Sequence, residues 1–418
     1  DVPLDAEAGC FREWMTVRLR SAWTVGGHTW PAGALLATRF DDFMAGQRHF
    51  VMVYQPQPNT SLAHYEWTRH HLILNVLQDV KSTLSVLTPS AGDWHREPFE
   101  GAPKFATASV EAVDDQVSDD YFMQVTGFLS PPTLYYGQIG RQPEKLKQSP
   151  AFFDASGLEV SQHFATSRDG TRIPYFQVAP RGLKLDGSHP TLLNGYGGFE
   201  ISEVPFYSGA IGSAWLSWGG VYVLANIRGG GEYGPKWHEA ALQQNRPRAY
   251  EDFAAVAEDL VARHVTSPAR LGCFGGSNGG LLMGNMITTY PQLFGAIVCQ
   301  VPLLDMKRYT HLLAGASWMA EYGDPDKPDQ WAFIRTFSPY QNVSKDAKYP
   351  PVLFMTSTRD DRVHPGHARK MAAKMLDMGY PVLYYENTEG GHGGAADNQQ
   401  RAHMWALAYT FLRQKLAP

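Results

Sequence analysis

Cysteine is scarce in this chain of 418 residues: there are three, Cys10, Cys273 and Cys299. They are odd in number and scattered, which argues against a disulfide framework and mildly favours a reducing compartment such as the cytoplasm. Charge of either sign is also in short supply, with 41 acidic against 36 basic residues and a net charge of −5. That balance gives no handle for nucleic acid or an anionic membrane surface. No apolar run approaches the roughly eighteen residues of a membrane-spanning helix. The glycine-rich stretches lack both the lysine of a phosphate-binding loop and dinucleotide spacing, so no cofactor is expected. The first residues, "DVPLDAEAG", carry neither a methionine nor a signal-peptide pattern, so the chain reads as processed or as a fragment, with prior removal of an export signal left open.

Two kinds of pattern are present. Residues 1–155 read as all-β: "MTVRL", "HFVMVY", "HLILNVL", "YFMQVTGF" and "TLYYGQI" are short apolar or alternating runs, separated by polar segments bearing Gly and Pro. Their spacing suits a sandwich, a barrel or propeller blades. Residues 156–418 alternate strand-like and helix-like segments. After a hairpin turning at Asp169-Gly170, buried strands are expected at 191–198, 220–231, 270–276, 295–301, 351–358 and 381–387. Amphipathic helices are expected at 250–265, 366–379 and 399–416. Such alternation predicts a doubly wound, mainly parallel sheet, on which ligands sit at the carboxyl ends of strands. The segment 144–157 reads as the link between the halves.

Within "LGCFGGSNGGLLMGNM" (271–286) the five residues G-G-S-N-G match the G-x-S-x-G nucleophile elbow. A strand precedes and a helix-like run follows, as that motif requires. Neighbours two residues from the serine must lack side chains or collide, which Gly275 and Gly279 satisfy. Ser277 is then the candidate nucleophile, and the Asn278 N–H is aimed at a developing oxyanion. A serine needs a base oriented by an acid, and on this fold the order along the chain is serine, acid, histidine. "PVLFMTSTRDDRVHP" ends a strand at Asp360-Asp361, either of which fits the acid. "PVLYYENTEGGHGG" ends the next strand in a loop carrying His392, the candidate base. His364 and His367 form H-x-x-H, but in a Pro-Gly turn and not on a helix face as in zinc motifs, so no metal site is expected.

Taken together, "NGYGGFEIS", "ANIRGGGEYG", "YEDF", "TSPARL", "GGSNGGLL", "ASWMAEYGDP", "SPYQNV", "DDRVHPGHARK" and "GGHGG" resemble the prolyl oligopeptidase family of serine peptidases, from about residue 158 to the end. The resemblance implies an α/β-hydrolase domain capped by a β-propeller and cleavage of short peptides after proline. By motif match it makes Asp360 the orienting acid, Tyr196 the second oxyanion donor beside Asn278, and Arg362 the residue that hydrogen-bonds the peptide carbonyl before the P1 residue. It places Phe199, Trp318, Tyr322 and Val363 on the proline pocket. Glu321 reads as facing away from that pocket. About 155 residues make three or four blades at ~40–50 residues each, fewer than the family's seven. The expected partners are therefore short proline-containing peptides, together with a missing amino-terminal segment or second chain that completes the propeller. An apolar face near Phe11, Trp14 and Trp23 is expected to lie exposed. Two other readings are an esterase or amidase of the same fold and an inactive fragment serving as an interaction module.

Overall fold

Alternation of apolar and polar side chains shapes the first part of the chain. In the strand Asp120–Gly127, Tyr121, Met123 and Val125 are buried while Phe122 and Gln124 face out. That is the two-residue period of a sheet with one covered face. The computed structural model describes residues 2–90, 94–99 and 104–417, and the chain divides into two compact units.

The first unit comprises residues 1–151, 204–207 and 231–237. Its described residues form three four-stranded antiparallel meanders. The first joins Glu7–Phe11, Trp14–Arg18, Leu35–Arg39 and Val51–Tyr54. The second joins Thr60–Trp67, Leu72–Gln78, Lys81–Pro89 and Trp94–Pro98. The third joins Ala106–Ala112, Asp120–Gly127, Ser130–Gln138 and Glu144–Gln148. Leu35, Ala37 and Tyr54 of the first sheet pack with Leu72, Leu74 and Leu87 of the second. Ile73 and Leu84 of the second pack with Ala108, Tyr121 and Met123 of the third. Face-to-face stacking of four-stranded meanders is the arrangement of propeller blades.

Two expectations for this unit need correction. Residues 144–148 are not linker: they pair antiparallel with Thr133–Tyr136 as the outer strand of the third sheet. The aromatic face on the first sheet is not exposed either. Trp23 is buried in a cluster with Met15, Val17 and Leu36, covered by Trp30 of its own hairpin and by Phe43 and Phe50. Trp14 meets Trp94 edge-on with centroids 5.0 Å apart, and Phe11 stacks on Trp67 at 5.0 Å. The hairpin thus covers the Trp23 cluster, and the second sheet covers Phe11 and Trp14.

The second unit comprises residues 152–203, 208–230 and 238–418. It is built on eight strands: β1 (Leu158–Thr166), β2 (Arg172–Pro180), β3 (Thr191–Gly195), β4 (Val221–Ala225), β5 (Leu271–Gly276), β6 (Ala296–Gln300), β7 (Val352–Ser357) and β8 (Val382–Asn387). Their order in the sheet is β1-β2-β4-β3-β5-β6-β7-β8. The first two pairings are antiparallel and all those from β4 onward are parallel. The main helices are α1 (Pro247–Ala262), α2 (Asn278–Thr289), α3 (Gly366–Asp377) and α4 (Asn398–Leu416). Helix α2 packs on β5 and β6, and α4 packs on the same two strands. A Cβ at Gly272 would lie 2.5 Å from Leu416, and Cys299, paired with Gly275 in the next strand, donates to Gly280 of α2. Gly272 and Gly275 differ in parity along β5, so the two helices cover opposite faces. β5 is thus buried on both sides, as its continuous apolar run requires. This is the α/β-hydrolase fold.

Candidate active site

The carboxyl end of β5 runs straight into α2, and Ser277 is the residue between them. Its backbone lies at φ 61°, ψ −118°, a strained conformation for a residue with a side chain. The glycines explain how the turn closes. A Cβ at Gly275 would sit 2.5 Å from the Gly279 carbonyl oxygen, and one at Gly280 would sit 2.6 Å from Pro302. Ser277 N–H donates to the Gln300 carbonyl at 3.0 Å, which pins the turn to the end of β6. Asn278 opens α2, so its N–H is among the helix-terminal donors that have no partner within the helix.

Tyr196 follows β3. Its half-buried phenol lies close enough to Ser277 for that residue to influence its titration. Burial pushes this phenol above its ordinary pKa, against the opposing effects of Ser277 and the Arg246 charge, so it stays protonated. The loop after β7 carries Asp360, whose side chain has no exposed surface. Its Oδ1 accepts from the Arg362 N–H at 3.0 Å and the Val363 N–H at 2.9 Å. His392 Nδ1 lies 2.8 Å from Asp360 Oδ2 and 3.0 Å from Oδ1. Asp361 is exposed. The loop carrying His392 is held by Asn387, whose Oδ1 accepts from the Glu389 and Gly390 N–H groups and whose Nδ2 donates to Gln400. The hydrogen bonds thus pair His392 with Asp360; a side-chain bond from Ser277 to Tyr196 or to His392 is not among them.

Of the pocket candidates, Phe199 and Trp318 are half-buried and Arg362 is exposed. Tyr322 and Val363 are buried, at 0% and 2% exposure. Tyr322 packs edge-on against Phe199 with centroids 5.7 Å apart, and its hydroxyl donates to Asn278 Oδ1 at 2.7 Å. It therefore supports Phe199 and Asn278 from behind and offers no free face of its own. Glu321 is buried and fully engaged. Its Oε1 accepts from the Phe199 N–H at 3.0 Å and from Arg246 Nη1 at 2.9 Å, and its Oε2 meets His238 Nε2 at 2.7 Å. Burial raises this carboxyl, but His238 and Arg246 outweigh the effect and hold it below its ordinary value. His367, half of the H-x-x-H pair, accepts from the Leu304 and Asp305 N–H groups through Nδ1, and His364 Nδ1 accepts from the Gly366 N–H. No group of three or more His, Cys, Asp or Glu among the described residues is arranged to hold a metal, and no described helix is long and apolar enough to cross a membrane.

Sequence reasoning missed Arg246, His238 and Asn387. An arginine in "QQNRPR" or an asparagine closing a strand has no local pattern that marks it.

A profile of the prolyl oligopeptidase family matches residues 209–418, half of the chain. The chain belongs to the prolyl oligopeptidase family. An uncharacterized peptidase of Sinorhizobium fredii is 48% identical over 403 residues, 95% of this chain and 55% of that protein. An uncharacterized peptidase of Rickettsia prowazekii is 36% identical over 422 residues, 100% of this chain and 58% of that one. Among solved structures, a post-proline cleaving enzyme from Rickettsia typhi superposes with a TM-score of 0.93 at 34% identity, covering 100% of this chain and 61% of that one. The chain spans a little over half the length of these prolyl oligopeptidase relatives.

Proposed function

We propose that this chain is a serine peptidase that hydrolyses short peptides on the carboxyl side of proline through an acyl-enzyme intermediate. The observation that carries the reading is the pairing of a strained serine elbow, beside a half-buried phenol, with a histidine held by a buried carboxylate on the adjoining strand-end loops. In this reading Ser277 Oγ attacks the prolyl carbonyl carbon as its proton passes to His392 Nε2. The bond from Asp360 to Nδ1–H keeps Nε2 free to accept. Charge developing on the carbonyl oxygen is met by the Asn278 N–H and the Tyr196 hydroxyl. His392 then protonates the leaving amine, and water, activated the same way, releases the acyl group.

The proposed pocket uses Phe199, Trp318 and Val363, with Tyr322 behind them. A flat indole suits a rigid, apolar pyrrolidine ring. Pairing with Arg246 and His238 keeps the Glu321 carboxylate from selecting a basic residue, which supports an apolar P1. Arg362 is assigned to the carbonyl before proline. The functional division we propose is a β domain over 1–155 and a peptidase domain over 156–418. The test is hydrolysis of a Gly-Pro amide reporter by the purified chain, alongside labelling of Ser277 by a fluorophosphonate. Labelling with no preference for proline over alanine would favour a general esterase or amidase. No labelling at all would refute a hydrolase.

A further inference from the structure

The turn after β3 is held in a conformation it would not adopt alone. Phe199 and Glu200 lie at φ 56° and 57°, two successive left-handed residues, neither a glycine. A bulky aromatic there persists only where surrounding contacts over-determine it. Beside a bond from the Glu200 N–H to the Gly229 carbonyl at 3.1 Å, those contacts come from one buried network. Glu321 accepts from the Phe199 N–H, and Arg246 Nη2 donates to the Gly197 carbonyl at 2.7 Å. The same Nη2 donates to Asn278 Oδ1 at 2.5 Å, and Asn278 Nδ2 donates to the Tyr196 carbonyl at 2.7 Å. Arg246 is 1% exposed and Glu321 4%. The fit is tight: a Cβ on Gly198 would lie 2.6 Å from Asn278 Nδ2 and 2.9 Å from Arg246 Nη2.

We propose that Arg246 and Glu321 are positioning residues that lock the turn 196–200 onto Asn278, fixing both oxyanion donors and Phe199 relative to Ser277. The roles of those donors rest on the hydrolase reading above. The network's bonds converge on this turn and on the residue after the serine. A buried ion pair is a weak source of stability, since an apolar replacement of the same volume often serves equally well. Convergence on a strained turn is what a positioning role requires, because a displacement of about 1 Å at such a site can lower a rate about 100-fold.

The test uses the full chain with Arg246→Met, Arg246→Lys and Glu321→Gln. Hydrogen–deuterium exchange is followed over 195–203 and 276–282, and the rate of fluorophosphonate labelling at Ser277 and kcat and KM for a Gly-Pro amide are measured. In Arg246→Met, exchange should rise in those two segments while β5, β6 and β7 keep their protection. Labelling and kcat should fall about 10- to 100-fold, with KM less affected because oxyanion contacts act in the transition state. Arg246→Lys should restore part of the loss. Glu321→Gln keeps an acceptor for the Phe199 N–H at equal volume and should show the same local pattern more weakly; it carries the test if Arg246→Met fails to fold. Unchanged exchange in the two segments, or an even rise across the whole unit, overturns the proposal. Absence of labelling in the unmodified chain would instead refute the hydrolase reading, and the exchange pattern would still decide whether the network holds the turn.

Discussion

Replacing Asp360 by Asn perturbs a single atom and separates orientation from packing. Oδ1 of Asp360 already accepts two backbone N–H groups, from Arg362 and Val363. An asparagine keeps those bonds by placing its carbonyl oxygen in the same position. Its NH₂ group then takes the place of Oδ2, 2.8 Å from His392 Nδ1. An amide donor there demands an acceptor, so Nδ1 loses its proton and Nε2 carries it. The imidazole is then in the wrong tautomer to take a proton from Ser277. Loss of the buried carboxylate also removes the charge that steadies the imidazolium. By analogy with other triads kcat should fall roughly 10⁴-fold, about 5 kcal/mol of transition-state stabilisation. The assay is kcat/KM for a Gly-Pro amide at neutral pH, with a thermal melt to show that the fold is kept. Asp361→Asn is the matched control, since Asp361 is exposed and should tolerate the change. Asp360→Asn retaining more than about a tenth of wild-type activity, where a loss of roughly 10⁴-fold is expected, would refute the assignment, and so would a larger loss in Asp361→Asn.

Ser277→Ala should abolish acyl transfer with the fold intact, and His392→Ala should be nearly as severe. Triad members act as a unit, so the double variant should be little worse than either single one; additive losses in kcat would break the assignment. Trp318→Ala should lower kcat/KM for proline substrates about 10- to 200-fold relative to alanine ones, the value of one ring in an apolar pocket, and equal losses would remove Trp318 from the pocket. Arg362→Ala should harm peptides that fill P2 more than minimal acyl esters, a difference read directly from paired kcat/KM values. Stability should depend on pH through His367. Burial lowers its pKa to about 4, with Asp305 and Asp360 opposing the shift and Lys370 and His364 assisting it. The folded state therefore favours the neutral ring. Its contribution is whole above the unfolded value of ~6.5 and is lost as pH falls toward 4, a loss of about 3 kcal/mol. His367→Gln keeps an acceptor for the two backbone N–H groups and should flatten that part of the curve of melting temperature against pH; an unchanged slope would exclude His367 as the titrating group.

What the sequence made legible follows from how local each cause is. The elbow could be read because its glycines answer a crowded turn, and the structure shows the collision at Gly275, whose Cβ would meet the Gly279 backbone, while a Cβ at Gly279 would come no nearer than 3.2 Å to the Gly195 oxygen. Strands β3 to β7 could be read because each is buried on both faces and needs an unbroken apolar run; the strand expected to be buried at 381–387 is instead the sheet's edge, β8, with Leu383 and Tyr384 exposed. The choice between Asp360 and Asp361 could not be made from pattern, since neighbouring residues at a strand end differ only in direction. The turn settles direction by drawing two N–H groups onto Asp360 Oδ1. Residues 144–148, "EKLKQ", concealed a strand because every side chain in it is exposed. An outer edge protected by lysines has no apolar alternation to display. Trp23 failed in the opposite sense: it is apolar, and nothing local says that a hairpin of its own will cover it.

Arg246 and Glu321 mark the limit of such reading. Each is a charged residue, and by default such residues face water. Their burial depends on meeting each other across 75 residues of sequence, together with His238, Asn278 and the Gly197 carbonyl. A partner that distant leaves no spacing to detect. What does reach the sequence is the network's footprint on its neighbours: Gly198 has no room for a side chain beside Asn278 and Arg246, and a Cβ on Gly229 would fall 2.3 Å from the Gly197 oxygen. The glycines of "GYGGF" and "IRGGG" are the visible half of a contact whose charged half is silent. In a chain of this fold, glycines that no turn demands are a place to look for a buried side chain pressing from behind.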